Sequence, residues 1–238
     1  MLALASFAAR SLPEDRVRAM VFHPDSPRDS ALAALLEQKG RASGWAAVAS
    51  IAYTAGRAQG ARLAADARRS GANSVFFLGS GGDLKSFLSE AARSALSPAV
   101  FVGSAGAGRE LLELPRDFGG RVYVAFPNLP VPRASEAGRA FYQLAGSLKL
   151  PPRREAFQVW AYSAGRIIIE ALRSVGRRLD REKLIAALEG LYDFDAGAPG
   201  PIRFGPGRRI GASGAAIVEV DVKARRLVTI RDWVSVDF

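Results

Sequence analysis

Cysteine is absent from the 238-residue chain, which removes disulfides, thiolate metal sites and cysteine nucleophiles together. Histidine is nearly absent too, since His23 stands alone. A Ser-His-Asp arrangement would have to combine it with Ser80 or Ser104 and with Asp25. Neither serine stands in a complete G-x-S-x-G elbow, because Leu78 and Val102 occupy the place of the first glycine. No His or Cys cluster exists to hold a metal, and the carboxylates show no ligand spacing. The run Gly103-Ser104-Ala105-Gly106-Ala107-Gly108 does not match G-x-G-x-x-G, and no G-K-S/T loop occurs. Neither enzyme activity nor a metal or cofactor is expected.

Long apolar runs are missing as well: none approaches the ~20 residues that span a bilayer. Met1 to Arg10 has neither the basic start nor the long apolar centre of a signal peptide, so none is expected in this chain. Lysine is confined to Lys39, Lys85, Lys149, Lys183 and Lys223, and the net charge of +10 comes from arginine. Basic pairs such as Arg68-Arg69, Arg153-Arg154 and Arg225-Arg226 are scattered, with no block of five like charges. That distribution argues against a nucleic-acid partner.

What is present is ordinary for a folded globular chain, with 49% hydrophobic and 24% charged residues. Short β-rich runs alternate with alanine-rich amphipathic stretches, the pattern of βαβ units around a parallel sheet. Strands are predicted over Arg16 to Phe22, Ala47 to Tyr53, Ser74 to Leu78, Ala99 to Val102 and Arg121 to Phe126. The third contains the continuous apolar run VFFL, as a strand covered on both faces requires. Helices are predicted over Pro27 to Lys39, Arg57 to Ser70, Asp83 to Ala95 and, briefly, Gly108 to Leu114. Pro127, Pro130 and Pro132 then interrupt the pattern and mark a crossing segment. Beyond it come helices over Ala134 to Leu148, Ala156 to Val175 and Arg181 to Leu191, the last capped by Asp180. A Gly/Pro/Arg-rich loop from Gly197 to Gly214 leads to a hairpin, Ala215 to Asp221 with Arg226 to Val236.

In an open parallel sheet the ligand crevice lies beyond the carboxyl ends of the strands, where helix N-termini and loop amides converge. The residues at those ends are His23, Asp25, Ser26 and Arg28 after the first strand and Thr54 after the second. After the third come Gly79, Ser80 and Gly81, and after the fourth Ser104 and Ala105. Glycine lets backbone N–H groups approach a solute and serine adds a small hydroxyl, a combination suited to a carboxylate. The same residues also make tight turns and cap helices. Asp193 and Asp195 read as capping or arginine-pairing groups rather than as a site.

Three stretches resemble the type I periplasmic binding proteins that include the leucine/isoleucine/valine receptors of ABC transporters. They are Arg62 to Leu84 around Gly71-Ala72-Asn73-Ser74-Val75-Phe76-Phe77, the segment Phe118-Gly119-Gly120-Arg121-Val122-Tyr123-Val124, and Leu179 to Glu189 followed by Tyr192-Asp193-Phe194-Asp195 and Phe204 to Gly214. The resemblance implies a second lobe, an α/β parallel open sheet flanked by helices, over 1–127 with about 212–238. It implies a crossing segment and remnant of an incomplete first lobe over 128–211. Met1 to Leu12 would be the helix just before the second lobe, and the chain would be an N-terminally truncated receptor. Binding of a small polar solute, an amino acid or related carboxylate, is implied, by closure about a hinge near Pro127 to Pro132 and Ala198 to Gly214. So are a periplasmic location and docking on a membrane permease. The family's tyrosine after the first strand falls near Arg28, its aromatic after the third near Ser80 or Gly81, and its acid after the fourth near Ala105. The usual partner of a ligand ammonium is therefore missing there, and Arg28 is left to meet a carboxylate or another anion. Helix faces without a lobe to cover them would favour a homodimer. The other reading is a standalone sensor or regulatory module of the same fold that binds a partner protein.

Overall fold

The computed structural model describes residues 1–11, 17–57, 59–127, 133, 135–151, 155–197, 200 and 202–236. Two compact units emerge, Met1–Phe126 with Ala216–Val236, and Pro127–Ala215. Of the expected crossing and hinge positions, Asn128, Pro130, Pro132 and Ala198 lie outside the described residues, as do Arg16, Ala134, Pro152, Arg153 and Arg154.

The first unit is built on seven strands: β1 Arg18–Pro24, β2 Ala47–Tyr53, β3 Ser74–Phe77, β4 Ala99–Gly103, β5 Val122–Phe126, β6 Gly214–Asp221 and β7 Arg226–Ser235. Their order is β2-β1-β3-β4-β5-β6-β7. The first five run parallel, and β6 joins β5 antiparallel with Val124 opposite Val218. The direction of winding reverses at β1, which lies between β2 and β3. Four helices accompany the sheet: α1 Leu2–Ser11, α2 Pro27–Ala42, α3 Gly60–Arg69 and α4 Gly81–Arg93. A helix linking β1 leftward to β2 and helices linking rightward onto β3 and β4 must use opposite faces if every crossover is right-handed. Packing agrees, because α1 touches α2 and α3 touches α4.

Two aromatic rows show what holds the layers together. Phe76 and Phe77, successive residues of β3, point to opposite faces and are both fully buried. On one face Trp45, Phe76, Phe101 and Tyr123 stack in sequence, with centroids 5.5, 4.7 and 5.4 Å apart, and Phe7 of α1 closes the row edge-on at 5.3 Å. The strand register aligns Phe76 with Phe101 and Phe101 with Tyr123. On the other face Phe77 lies between Tyr53, Phe22 and Phe87. Each fully buried phenylalanine contributes roughly 1.5–3 kcal/mol of transfer free energy.

Helix starts follow their caps. Ser26 caps α2 by accepting Asp29 N–H at 3.1 Å, and Ser80 caps α4 by accepting Asp83 N–H at 3.2 Å. Between β2 and α3 the helix begins at Gly60, three residues later than the pattern predicts, because Gly56 turns left-handed at φ +74° and the chain stays in a loop. The stretch 108–114 forms a 3-10 turn, Arg109–Glu113, rather than an α-helix.

The second unit contains α5 Glu136–Ser147, α6 Glu155–Val175 and α7 Arg181–Glu189. Its core is small: Ala137, Phe141 and Val159, with Tyr142, Ala145 and Tyr162 packed around them. Asp180 caps α7 by accepting Lys183 N–H at 2.8 Å. Asp193 pairs with Arg203, and Asp195 accepts Gly197 N–H at 2.8 Å. Along α6, Phe157, Trp160, Ile168 and Leu172 share one helix side and are exposed, Phe157 by 67%.

Candidate functional site

The strand ends of the first unit place the ten candidate residues along one edge of the sheet. His23 is the penultimate residue of β1 and is buried, its Nδ1 2.9 Å from the Pro24 carbonyl oxygen, which it reaches as an N–H donor. Asp25 is exposed in the turn, Ser26 is the cap of α2, and Arg28 is exposed in its first turn. Thr54 is exposed just beyond β2. Gly79 is buried, Ser80 is the cap of α4, and Gly81 is that helix's first residue. Ser104 is exposed and, with the backbone of Ala105, forms the 3-10 turn Ser104–Gly106 after β4.

Both candidate cap serines already donate their hydroxyl protons. Ser26 Oγ donates to Asp29 Oδ2 at 2.7 Å, and Ser80 Oγ to Asp83 Oδ2 at 2.8 Å. The Ser80 proton thus goes to a carboxylate in its own helix turn and not to His23. Asp83 is buried, and its Oδ1 also accepts Gly56 N–H at 3.0 Å. It therefore ties the loop after β2 to the N-terminus of α4, where the helix dipole favours a negative charge.

The two Gly-Ser loops meet directly. A Cβ on Gly106 would lie 2.7 Å from the Gly79 carbonyl oxygen, so the loops after β3 and β4 leave no gap at that level. On its other side Gly79 faces Tyr53, and a Cβ there would overlap the phenol hydroxyl. Space opens instead beside the ends of β1 and β2, as a groove of about 290 Å³ lined by Asp25, Ala52, Tyr53, Thr54, Gln59 and Arg62. Arg62 is held in it by Nε donating to Gln59 Oε1 at 2.9 Å and Nη2 to the Ala52 carbonyl at 3.3 Å.

Tyr53, Gln59, Arg62 and Asp83 were not among the sequence candidates. Asp83 was readable, because Ser80 three residues ahead makes a capping pattern. Gln59 was hidden by reading the helix as starting at Arg57. Tyr53 reads as the last residue of an apolar strand, and only coordinates show its hydroxyl buried and lacking a hydrogen-bond partner among the described residues. Burial, then the nearby carboxylates of Asp83 and Asp29, raise its pKa well above the usual phenol value. One further acid reaches this edge. Glu110 Oε2 lies 3.0 Å from where a Gly81 Cβ would stand, so a carboxylate from the loop after β4 faces the start of α4.

The unpartnered phenol makes a specific expectation. Tyr53→Phe removes a buried polar group that has no partner, so stability at pH 7 should change by less than about 1 kcal/mol, in either direction. Above about pH 10, where the unfolded phenol ionises, the wild-type fold loses stability that the Phe variant keeps, because the folded pKa is raised. Urea midpoints at pH 7 and pH 11 measure both quantities; equal losses in the two proteins at high pH would contradict the buried placement.

A family model for periplasmic binding proteins matches residues 1–225. No curated protein matches the chain. Among solved structures, a branched-chain amino acid ABC transporter protein from Thermus thermophilus with bound valine matches with TM-score 0.70 and 20% identity, over 99% of this chain and 64% of that one. A leucine binding protein from Thermotoga maritima matches with TM-score 0.71 and 16% identity, over 98% and 64%. A solute binding protein from R. palustris in complex with benzoate matches with TM-score 0.65 and 14% identity, over 99% and 63%. The chain thus spans less than two thirds of the length of these structures. They share its α/β architecture, a mostly parallel sheet flanked by helices.

Proposed function

The chain belongs to the periplasmic binding protein family, and from that premise we propose that its first unit is the ligand-facing lobe of the solute-binding component of an ABC-type uptake transporter. The solute class is an amino acid or a related carboxylate, bound and released unchanged and handed to a permease. The observation that carries this reading is the reversal of strand order at β1, which leaves the ends of β1 and β2 free to form a solute crevice. Around it stand His23, Asp25, Arg28 and Thr54, joined by Arg62. The loops at Gly79 to Gly81 and at Ser104 to Ala105 flank them. Arg28 and Arg62 supply positive charge for a carboxylate. Glu110, near Gly81, supplies the acid that a ligand ammonium needs, five residues beyond Ala105. The valine and benzoate held by two of the similar proteins have a carboxylate and an apolar body in common, which supports the class and leaves the ammonium as the variable feature.

A solute resting on one lobe keeps much of its surface in water, and affinity falls accordingly. We expect the chain alone to bind valine, leucine and benzoate with Kd weaker than about 1 µM. An NMR titration should move amide signals of residues 25, 26, 28, 54–57, 59–62 and 79–81. Glu110→Gln should weaken the amino acids and leave benzoate unchanged. Calorimetry giving submicromolar affinity for the monomeric chain would contradict the weak binding, and saturating solute that moves none of these signals would end the reading.

A further inference from the structure

A second concavity in the first unit lies away from the proposed solute crevice. It holds about 650 Å³ and is lined by Leu112, Glu113, Leu114, Arg116 and residues 222, 223 and 225. The antiparallel register puts Phe126 opposite Ala216 and Tyr123 opposite Glu219, so β6 ends beside the start of β5. The 222–225 turn therefore sits at the sheet edge opposite the strand C-termini.

Its charge is unbalanced. Glu113 is paired with Lys85 at 3.2 Å, and Asp221, next to the turn, is paired with Arg226 at 3.6 Å. Arg116, Lys223 and Arg225 remain, all exposed, and among the described residues none of the three makes an ion pair. Like charges on one concave wall repel one another within a screening length of about 8–10 Å, and among the described residues no carboxylate is ion-paired with any of these three. The turn that carries two of them is ordered: Asp221 Oδ1 accepts Ala224 N–H at 2.9 Å, and Arg225 holds the left-handed conformation at φ +50°. A glycine would adopt that conformation more readily, so the arginine there keeps a charge at the rim against its backbone preference. Beneath the charges, Leu114 and Val222 are buried and form an apolar floor.

We propose that this concavity is a second binding site, taking a phosphate-bearing molecule whose dianionic head meets Arg116, Lys223 and Arg225 and whose apolar part rests on Leu114 and Val222. A monocarboxylate offers one charge to three cations. A phosphate offers two charges and three oxygens, and the planar donor fork of arginine matches that geometry. The volume falls within the range of small-molecule pockets. Because it sits at the far edge of the sheet, it can be occupied together with the solute crevice. The head could belong to a soluble molecule or to an anionic lipid; its chemistry at the site is the same.

The test uses the full chain, inorganic pyrophosphate in calorimetry at fixed ionic strength, and co-sedimentation with phosphatidic acid vesicles against phosphatidylcholine vesicles. Two triple variants accompany it: Arg116→Gln with Lys223→Gln and Arg225→Gln, and a control, Arg68→Gln with Arg69→Gln and Arg93→Gln, which removes the same charge elsewhere. All six positions are exposed, so both variants should fold, and circular dichroism checks it. We expect pyrophosphate binding about tenfold weaker in the first variant and within about twofold of wild type in the control. Binding to phosphatidic acid vesicles without pyrophosphate binding, lost only in the first variant, would support the same site with a lipid head as its occupant. Equal losses in the two variants would reduce the effect to overall charge and overturn the proposal. Binding of neither probe would overturn it as well.

Discussion

Phe76→Ala should lower the unfolding free energy by about 3–5 kcal/mol, the range for deleting a fully buried aromatic ring. Phe76 has no accessible surface. It stacks on Trp45 at 5.5 Å and on Phe101 at 4.7 Å, and through Phe101 it belongs to a row that crosses β3, β4 and β5. The alanine would leave a cavity between a strand and the chain segment after α2, with rings on both sides held too tightly to fill it. Phe157→Ala, at a position 67% exposed on α6, should change stability by no more than about 0.5 kcal/mol. Urea unfolding of both variants, followed by tryptophan fluorescence and far-UV dichroism, gives the comparison. A Phe76→Ala loss below about 1 kcal/mol would mean that the aromatic row is not packed as described.

That row also shows which parts of the fold can be read without coordinates. The run VFFL between turn residues is continuously apolar, and a strand with neighbours on both sides and helices on both faces is the one environment that tolerates it. β3 has that environment, between β1 and β4. Alternation within a strand then sends Phe76 and Phe77 to different faces, so two separate aromatic rows follow from two adjacent letters. The pairing of Phe76 with Phe101 and Tyr123 is not readable, because register depends on where each strand begins. At β1 the strand runs Arg18–Pro24, two residues past the predicted end at Phe22. Alternation is counted residue by residue along the strand, so the face pattern does not depend on where the boundary is drawn.

The candidate site divides along a similar line. Strand ends are legible, so residues beyond them, from His23 to Arg28 and from Gly79 to Gly81, come together at one edge of the sheet. Hydrogen-bond commitments are not legible, because they depend on partners distant in sequence. Asp83 reaches back 27 residues to Gly56, and its interaction sets the loop that carries Thr54. Glu110 is likewise set by distant chain: the resemblance places the family's acid near Ala105, whereas the 3-10 turns after Gly103 bring the carboxylate of Glu110 back toward Gly81.

Gly79→Ala is the substitution at this edge with the largest expected effect, about 3 kcal/mol of lost stability, at the upper end for forcing an extra methyl into a packed site. Gly79 is buried. A Cβ there would overlap the Tyr53 hydroxyl and lie 2.8 Å from Phe77 Cε1. Neither ring can swing away, because Tyr53 and Phe77 lie with centroids 5.7 Å apart and Phe77 also packs on Phe87 at 5.9 Å. The Gly106 backbone stands close on the other side, since a Cβ there would lie 2.7 Å from the Gly79 carbonyl oxygen. If the hydroxyl is the principal obstacle, Tyr53→Phe should restore about 1–2 kcal/mol to Gly79→Ala while being nearly neutral alone, the signature of two coupled neighbours. A double-mutant cycle by urea denaturation measures that coupling. Strict additivity would show that the methyl is resisted by Phe77 instead, and a Gly79→Ala variant as stable as wild type would show that the end of β3 is not enclosed by Tyr53 at all.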